Sequence, residues 1–317
     1  MKPILFVHIP KTAGTSLNAS AAKLFGTATV ERDYGIDAPH TSDAVRRFIY
    51  ESETVDQYGF LDATHKAGTR WITGHSPADR FLHLFGATNT ISFVRDPVER
   101  VISEYRHLVR VGKMEQSLEE FYKSEAETNK QFNMIGMPPW RAYHLVGSQD
   151  SYERCVALLA TELGVALEVL SENVRPASDN APVGEEIRQA IRDHNELDCR
   201  FVTQVRAYLD QHFAAHDAGK AFCYHEYGLI PDTHIIGWCF YRESNAAVQL
   251  NLLVDGVVRE TVQASEHRAE LQTIGVPRLG HCGFRFVLSD YDGAERVEVR
   301  TVETGQTICD WQRETGS

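Results

Sequence analysis

The opening of the chain constrains its fold more than any other stretch. Residues 4–9 are a nearly unbroken apolar run, Pro10-Lys11-Thr12-Ala13-Gly14-Thr15-Ser16 interrupts it, and residues 16–25 continue with helical spacing. A short apolar run bounded by turn residues reads as a strand covered on both faces, the kind found in parallel sheets. Thr15 or Ser16 stands where a hydroxyl caps the following helix. A buried strand feeding directly into a helix is the first half of a βαβ unit, and it predicts an α/β domain with a mainly parallel sheet.

The same alternation continues along the first two-thirds of the chain. Apolar segments at 70–74, 88–94 and 143–147 read as further strands, and helical spacing marks 97–111, 152–163 and a long stretch from 185 to 213. Pro97 sits where proline is favoured, at the first helical position. Residues 27–69 are polar and mixed, with one helix over 43–50, and read as an insertion over the sheet edge. Near residue 231 the period changes to short alternating segments, such as 248–254 and 283–288, with turn signals at Asp255-Gly256 and Asp292-Gly293. The predicted architecture is a P-loop-like parallel sheet flanked by helices over 1–230, followed by a small β-sandwich over 231–317.

Charge narrows the ligands. With 32 Lys and Arg against 44 Asp and Glu, the net charge of −12 rules out nucleic-acid binding through a general basic surface, so an anion needs a local pocket. The first apolar run is too short for a secretory leader, and no segment reaches the roughly 20 apolar residues of a membrane span, which predicts a soluble, cytoplasmic protein. The six cysteines are scattered, with no CxxC pair and no Cys/His or carboxylate cluster at metal spacing, so they read as free thiols and no metal is expected.

A loop between a buried strand and a helix N-terminus offers unpaired N–H groups and the positive end of the helix dipole, a place for phosphate or sulfate. Lys11 adds a point charge, Gly14 allows close backbone approach, and Thr12, Thr15 and Ser16 carry hydroxyls. Lys11 precedes Gly14, whereas a Walker A loop has lysine directly after glycine, which makes ATP the weaker donor hypothesis.

The segment from His8 to Ser16 resembles the 5′-phosphosulfate loop of PAPS-dependent sulfotransferases (PAPS is 3′-phosphoadenosine 5′-phosphosulfate), and most of all the group that includes heparan sulfate 2-O-sulfotransferase. Residues 91–105, with Arg95-Asp96-Pro97 and Ser103, resemble that family's 3′-phosphate motif. Arg95 at a strand end and Ser103 two turns into the next helix are placed to meet on one phosphate, while Asp96 and Arg100 fit a turn-locking ion pair as well as a ligand role. Gly74-His75 followed by Phe81 is similar to the segment that carries the catalytic base, and His75 also stands at a strand end, where an open α/β sheet delivers ligand-binding groups. His8, His65 and His83 are the less favoured histidines. Leu145-Val146-Gly147 and Asn195-Glu196-Leu197-Asp198 are similar to later family segments, while Asn173 and Arg175 align too loosely to be assigned.

The resemblance, over about residues 1–225, implies cofactor binding by Lys11, Thr12, Ala13, Gly14, Thr15, Ser16, Arg95 and Ser103, with His75 and Lys11 catalytic. PAPS is the implied donor, 3′,5′-diphosphoadenosine the product, and a hydroxyl on a carbohydrate or polysaccharide the implied acceptor, without a metal. A lipid, polyketide or carrier-tethered hydroxyl is the alternative acceptor; a P-loop-type kinase and a noncatalytic glycan-binding protein are the rival classes. Arg46, Arg47, Lys66, Arg70, Arg106, Arg110 and Lys113 are candidates for a basic acceptor surface, and Tyr34, Tyr58, Trp71 and Trp140 for stacking on sugars. The C-terminal module reads as a glycan-binding, stabilising or homodimerising accessory.

Overall fold

The computed structural model describes residues 2–137, 139–170, 182–230, 233–291 and 293–313. Its central strand is β1 (Ile4–Val7), buried at all four positions. It pairs in parallel with β3 (Trp71–Gly74) on one side and β4 (Thr90–Val94) on the other, so that Phe6 stands opposite both Thr73 and Ile91. β2 (Val30–Asp33) beside β3 and β5 (Leu145–Ser148) beside β4 complete a five-stranded parallel sheet in the order β2-β3-β1-β4-β5. The chain leaves β1 toward one edge and later crosses to the other side of it. That reversal opens a crevice at the carboxyl ends of the strands, the usual place for a ligand in such sheets.

Around the sheet lie α1 (Gly14–Phe25), α2 (Asp43–Val45), α3 (Gln57–Lys66), α4 (Asp79–Phe85), α5 (Pro97–Arg110), α6 (Leu118–Tyr122), α7 (Lys130–Ile135), α8 (Tyr152–Leu163), α9 (Glu185–His194) and α10 (Glu196–Asp217). α5 carries a strongly apolar stripe, and Val98, Val101 and Ile102 bury it against Phe121, Tyr122 and Ile191. Asp96 caps α5 by accepting from the Glu99 N–H at 3.0 Å, with Pro97 in its first turn.

Three local expectations are corrected. The polar region after α1 contributes an edge strand, β2, because Val-Glu-Arg-Asp buries its two carboxylates at the sheet end, where hydrophobic patterning gives no sign of a strand. The helical stretch 185–213 is two helices: buried Asn195 spends its side chain on the Ile191 carbonyl (2.9 Å) and the Asn129 N–H (2.9 Å), which breaks the run. The region 43–50 starts as α2 and continues as a π-helical turn, Arg46–Tyr50.

The chain divides into two compact units, Met1–Phe85 with Asn89–Asp210, and Gly86–Thr88 with Gln211–Ser317. In the second, one antiparallel sheet holds β6 (Cys223–Ile230), β7 (His234–Tyr241), β10 (Glu266–His267) and β11 (His281–Val287); the other holds β8 (Gln249–Val254), β9 (Val257–Gln263), β12 (Arg296–Thr301) and β13 (Thr307–Gln312). Ile235, Phe284 and Phe286 of the first sheet share a core with Leu250, Leu252, Val299 and Ile308 of the second, which makes the unit a sandwich. β6, before the expected boundary at 231, pairs with β7 after it, Ile230 standing opposite His234. Asp255 and Gly256 both have positive φ, 49° and 78°, as a two-residue hairpin turn requires, whereas position 292 of the second turn signal lies outside the described residues.

Candidate active site

The loop after β1 is shaped by two left-handed residues. Lys11 and Ala13 have φ of 67° and 70°, a conformation that costs a side-chain-bearing residue about 1–2 kcal/mol and turns neighbouring N–H groups toward a common hollow. Between them Thr12 is fully buried, its hydroxyl donating to the Ile9 carbonyl at 2.8 Å, so the loop is tied from within. This hydroxyl faces inward, and Thr12 has only its backbone to offer the hollow. α1 begins at Gly14, earlier than its sequence indicates, and Ala13 at the N-cap supplies no side-chain acceptor; the expected cap from Thr15 or Ser16 is therefore not available. Thr15 is exposed and Ser16 buried. Gly14 is required for a different reason from the one expected: a Cβ there would lie 2.1 Å from Cδ2 of His8.

His8 follows β1 and is buried between Phe6, Tyr34 and His75, with ring centroids 5.5, 6.3 and 4.6 Å away. Burial above all, then the charges of His75 and Lys11, lower its pKa to about 3, so it stays neutral. His75 follows β3 and opens to solvent. Its Nδ1 lies 2.6 Å from the carbonyl oxygen of His8, an atom that can only accept; Nδ1 therefore carries the proton and Nε2 is left with a lone pair. The His75 N–H donates to the Asp33 carbonyl at 3.0 Å, and Gly74 before it is crowded, with a Cβ placed 2.1 Å from that same oxygen. Although His75 opens to solvent, the protein around its ring desolvates it and lowers its pKa below the ordinary imidazole value, while the His8 carbonyl, Glu104 and Asp33 pull it up and Lys130 pulls it down.

Arg95 follows β4 and joins the two expected phosphate elements: its guanidinium donates to the Lys11 carbonyl at 3.2 Å. Its backbone is gripped on both sides by Gln131, whose side-chain oxygen accepts from the Arg95 N–H (2.8 Å) while its amide donates to the Arg95 carbonyl (2.9 Å). Gln131 lies in the first turn of α7, and Asp198 caps that helix by accepting from the N–H groups of Gln131 (3.2 Å) and Phe132 (2.7 Å). Asn195 and Asp198 thus act on Arg95 through α7. Ser103 lies one turn beyond Glu99 on α5, half-buried, and Glu99 approaches Arg95 at 3.8 Å. Burial, and after it the charge of Lys11, lowers the pKa of His107, one turn after Ser103 on α5. Asp96 is the helix cap, and Arg100, fully buried, pairs with Glu127 at 3.0 Å, so both are structural and neither is paired with the other.

Sequence reasoning missed Gln131, Tyr50 and the carboxylate of Asp33. Asp33 is buried and accepts from Tyr50 (2.5 Å), Ser76 (2.6 Å) and Arg80 (3.2 Å), bracing the turn after His75. Of the aromatic candidates, Trp71 and Trp140 are core residues, Tyr34 packs its ring against His75 at 4.7 Å, and Tyr58 alone is largely exposed. Arg46 of the basic set is spent on the carbonyls of Ile36, Ala38 and Thr41. His65 is exposed at the end of α3, and His83 bonds Gln57 at 2.8 Å. Asn173 and Arg175 lie outside the described residues. Among the described residues no group of three or more His, Cys, Asp or Glu is arranged to hold a metal, and no helix is long and apolar enough to cross a membrane.

The ends of three adjoining parallel strands thus bring together the loop and N-terminus of α1, Arg95 and His75. The profile of the Sulfotransferase family matches residues 1–162, and the chain belongs to that family. Among solved structures, a sulfotransferase from Alicyclobacillus acidocaldarius matches with a TM-score of 0.34 and 15% identity, over 62% of this chain and 93% of that one. A likeness at that level transfers no residue and no role. No curated protein matches the sequence.

Proposed function

We propose that the chain transfers a sulfuryl group from PAPS to a hydroxyl on a carbohydrate, with His75 as general base and Lys11 beside the leaving group. The observation that carries the reading is the fixed tautomer of His75: with Nδ1 held by the His8 carbonyl at 2.6 Å, Nε2 is a lone-pair base at the mouth of an anion-binding loop. The residues fit the donor: the uncapped N-terminus of α1 and the nest at Lys11 and Ala13 suit a phosphosulfate, and Arg95 with Ser103 suits a second phosphate. Transfer is an in-line displacement at sulfur. The acceptor O–H proton passes to Nε2 of His75 as its oxygen bonds to sulfur, and the bridging S–O bond breaks to release 3′,5′-diphosphoadenosine, whose developing charge Lys11 stabilises. The carbohydrate acceptor rests on the family resemblance and on exposed Tyr58.

Thermal shift with 3′,5′-diphosphoadenosine, set against ATP with magnesium, tests the donor; preferential stabilisation by ATP overturns it. Radiolabelled PAPS offered with oligosaccharides, lipids and carrier-bound hydroxyls tests the acceptor, and labelling confined to the last two overturns the carbohydrate reading.

A further inference from the structure

The side chain of His8, only 7% exposed, has a ring nitrogen with no task so far. Its hydrogen positions follow from its neighbours. The Trp71 indole nitrogen can only donate, and it reaches Asn18 at 2.9 Å, so the amide oxygen of Asn18 is the atom that faces Trp71 and Nδ2 faces the other way. Nδ2 lies 3.2 Å from the Tyr34 hydroxyl oxygen and 3.4 Å from Nδ1 of His8, and that hydroxyl is also 3.4 Å from Nδ1. An amide nitrogen offers only hydrogens, so Nδ1 of His8 accepts and the proton of the neutral ring sits on Nε2. Nε2 has no hydrogen-bond partner among the described residues, and buried donors without an acceptor are rare in native proteins. The ring edge that carries it is turned to the first residue of α1: a Cβ at Gly14 would lie 2.1 Å from Cδ2 and 2.3 Å from Nε2.

We infer that His8 is a ligand of the transferred group, its Nε2–H donating to an oxygen of the sulfuryl, and that Asn18, in the second turn of α1, is the residue that positions this hydrogen. This rests on the reading of the loop as the donor site and of His75 as the base. An in-line displacement puts sulfur between the leaving oxygen, at the loop and the start of α1, and the acceptor oxygen, at His75. The His8 ring adjoins both: its edge faces Gly14, and its centroid is 4.6 Å from that of His75. The uncapped N–H groups of α1 and Nε2–H of His8 are donors only, which suits a group whose oxygens carry no proton at neutral pH. Burial keeps the ring neutral, so His8 lends a hydrogen and gives none up. The acceptor proton still goes to Nε2 of His75 as the new O–S bond forms and the bridging S–O bond breaks.

Nitrogen–proton correlation NMR of the histidine rings reads the tautomer directly. His8, assigned by its loss in His8→Leu, is expected with a proton on Nε2 and a lone pair on Nδ1; the reverse tautomer in the native chain overturns the inference. Asn18→Asp turns an acceptor toward the ring and is expected to put a proton on Nδ1, and an Nδ1 still bare in that folded variant overturns the role of Asn18. The contact itself is tested by adding 3′,5′-diphosphoadenosine and PAPS separately, without acceptor, because the two differ by the sulfuryl alone. PAPS is expected to shift the Nε2 resonance of His8 and the diphosphate to leave it nearly unmoved; equal shifts overturn the contact. His8→Leu is expected to keep its affinity for 3′,5′-diphosphoadenosine by calorimetry and to lose kcat by about 10–100-fold, and undiminished transfer overturns the inference. Failure of both nucleotides to bind the native chain overturns the donor reading instead, and the contact with it.

Discussion

The His8–His75 pair shows how one backbone carbonyl can set a reactive nitrogen. Because the His8 oxygen fixes Nδ1–H, replacing His75 with Asn is expected to leave 3′,5′-diphosphoadenosine binding intact by calorimetry while sulfotransfer falls by about 10²–10⁴-fold. His8 itself carries a pH signature. Its folded pKa, about 3, lies below the unfolded value of 6.5, so acid protonates the unfolded chain first; the stability it contributes is present above pH 6.5 and is lost as pH falls toward 3. Urea unfolding from pH 7 to 4 is expected to show a shallower loss in His8→Gln than in the native chain. Gly14→Ala drives a methyl into that same ring, at 2.1 Å, and is expected to cost about 1–3 kcal/mol, part of which the double variant with His8→Ala recovers in the same assay.

Elements act here as levers on single residues. Strands β1, β3 and β4 end at His8, His75 and Arg95, and α7 reaches back to hold the Arg95 backbone through Gln131. Gln131→Ala is expected to weaken 3′,5′-diphosphoadenosine binding roughly tenfold by calorimetry, since both backbone groups of Arg95 lose their partner. Breaking the Arg100–Glu127 pair is a different kind of loss: Glu127→Gln leaves a charge buried without its counter-ion and is expected to cost about 3–5 kcal/mol in denaturant unfolding. The strand ends at His75 and Arg95 are legible in the sequence because apolar runs stop there. α7 is not, being a short helix whose reason for existing is its capping by Asp198, a residue far along the chain.

At the scale of the whole molecule, two compact units share one chain. Removing residues 231–317 strips β6 of β7, its one hydrogen-bonded strand neighbour among the described residues, and limited proteolysis is expected to trim that truncated chain back through 223–230, whereas ending the chain after α10 leaves no such tail. The change of hydrophobic period near 231 announced an all-β segment, while β6, on the other side of that point, is recognised as part of a β-hairpin only through its pairing with β7.

The nest-forming loop, the strand ends carrying His75 and Arg95, and the family itself were fixed by the sequence, because each is local: an apolar period, a helix start and a charged residue within a few positions. Which hydroxyl faces inward, why Gly14 has no side chain, which nitrogen of His75 is free and what holds Arg95 still were decided only by tertiary structure. The last two depend on His8, Gln131 and Asp198, whose distance from their targets is short in space and long in the chain, and no periodicity records such distances.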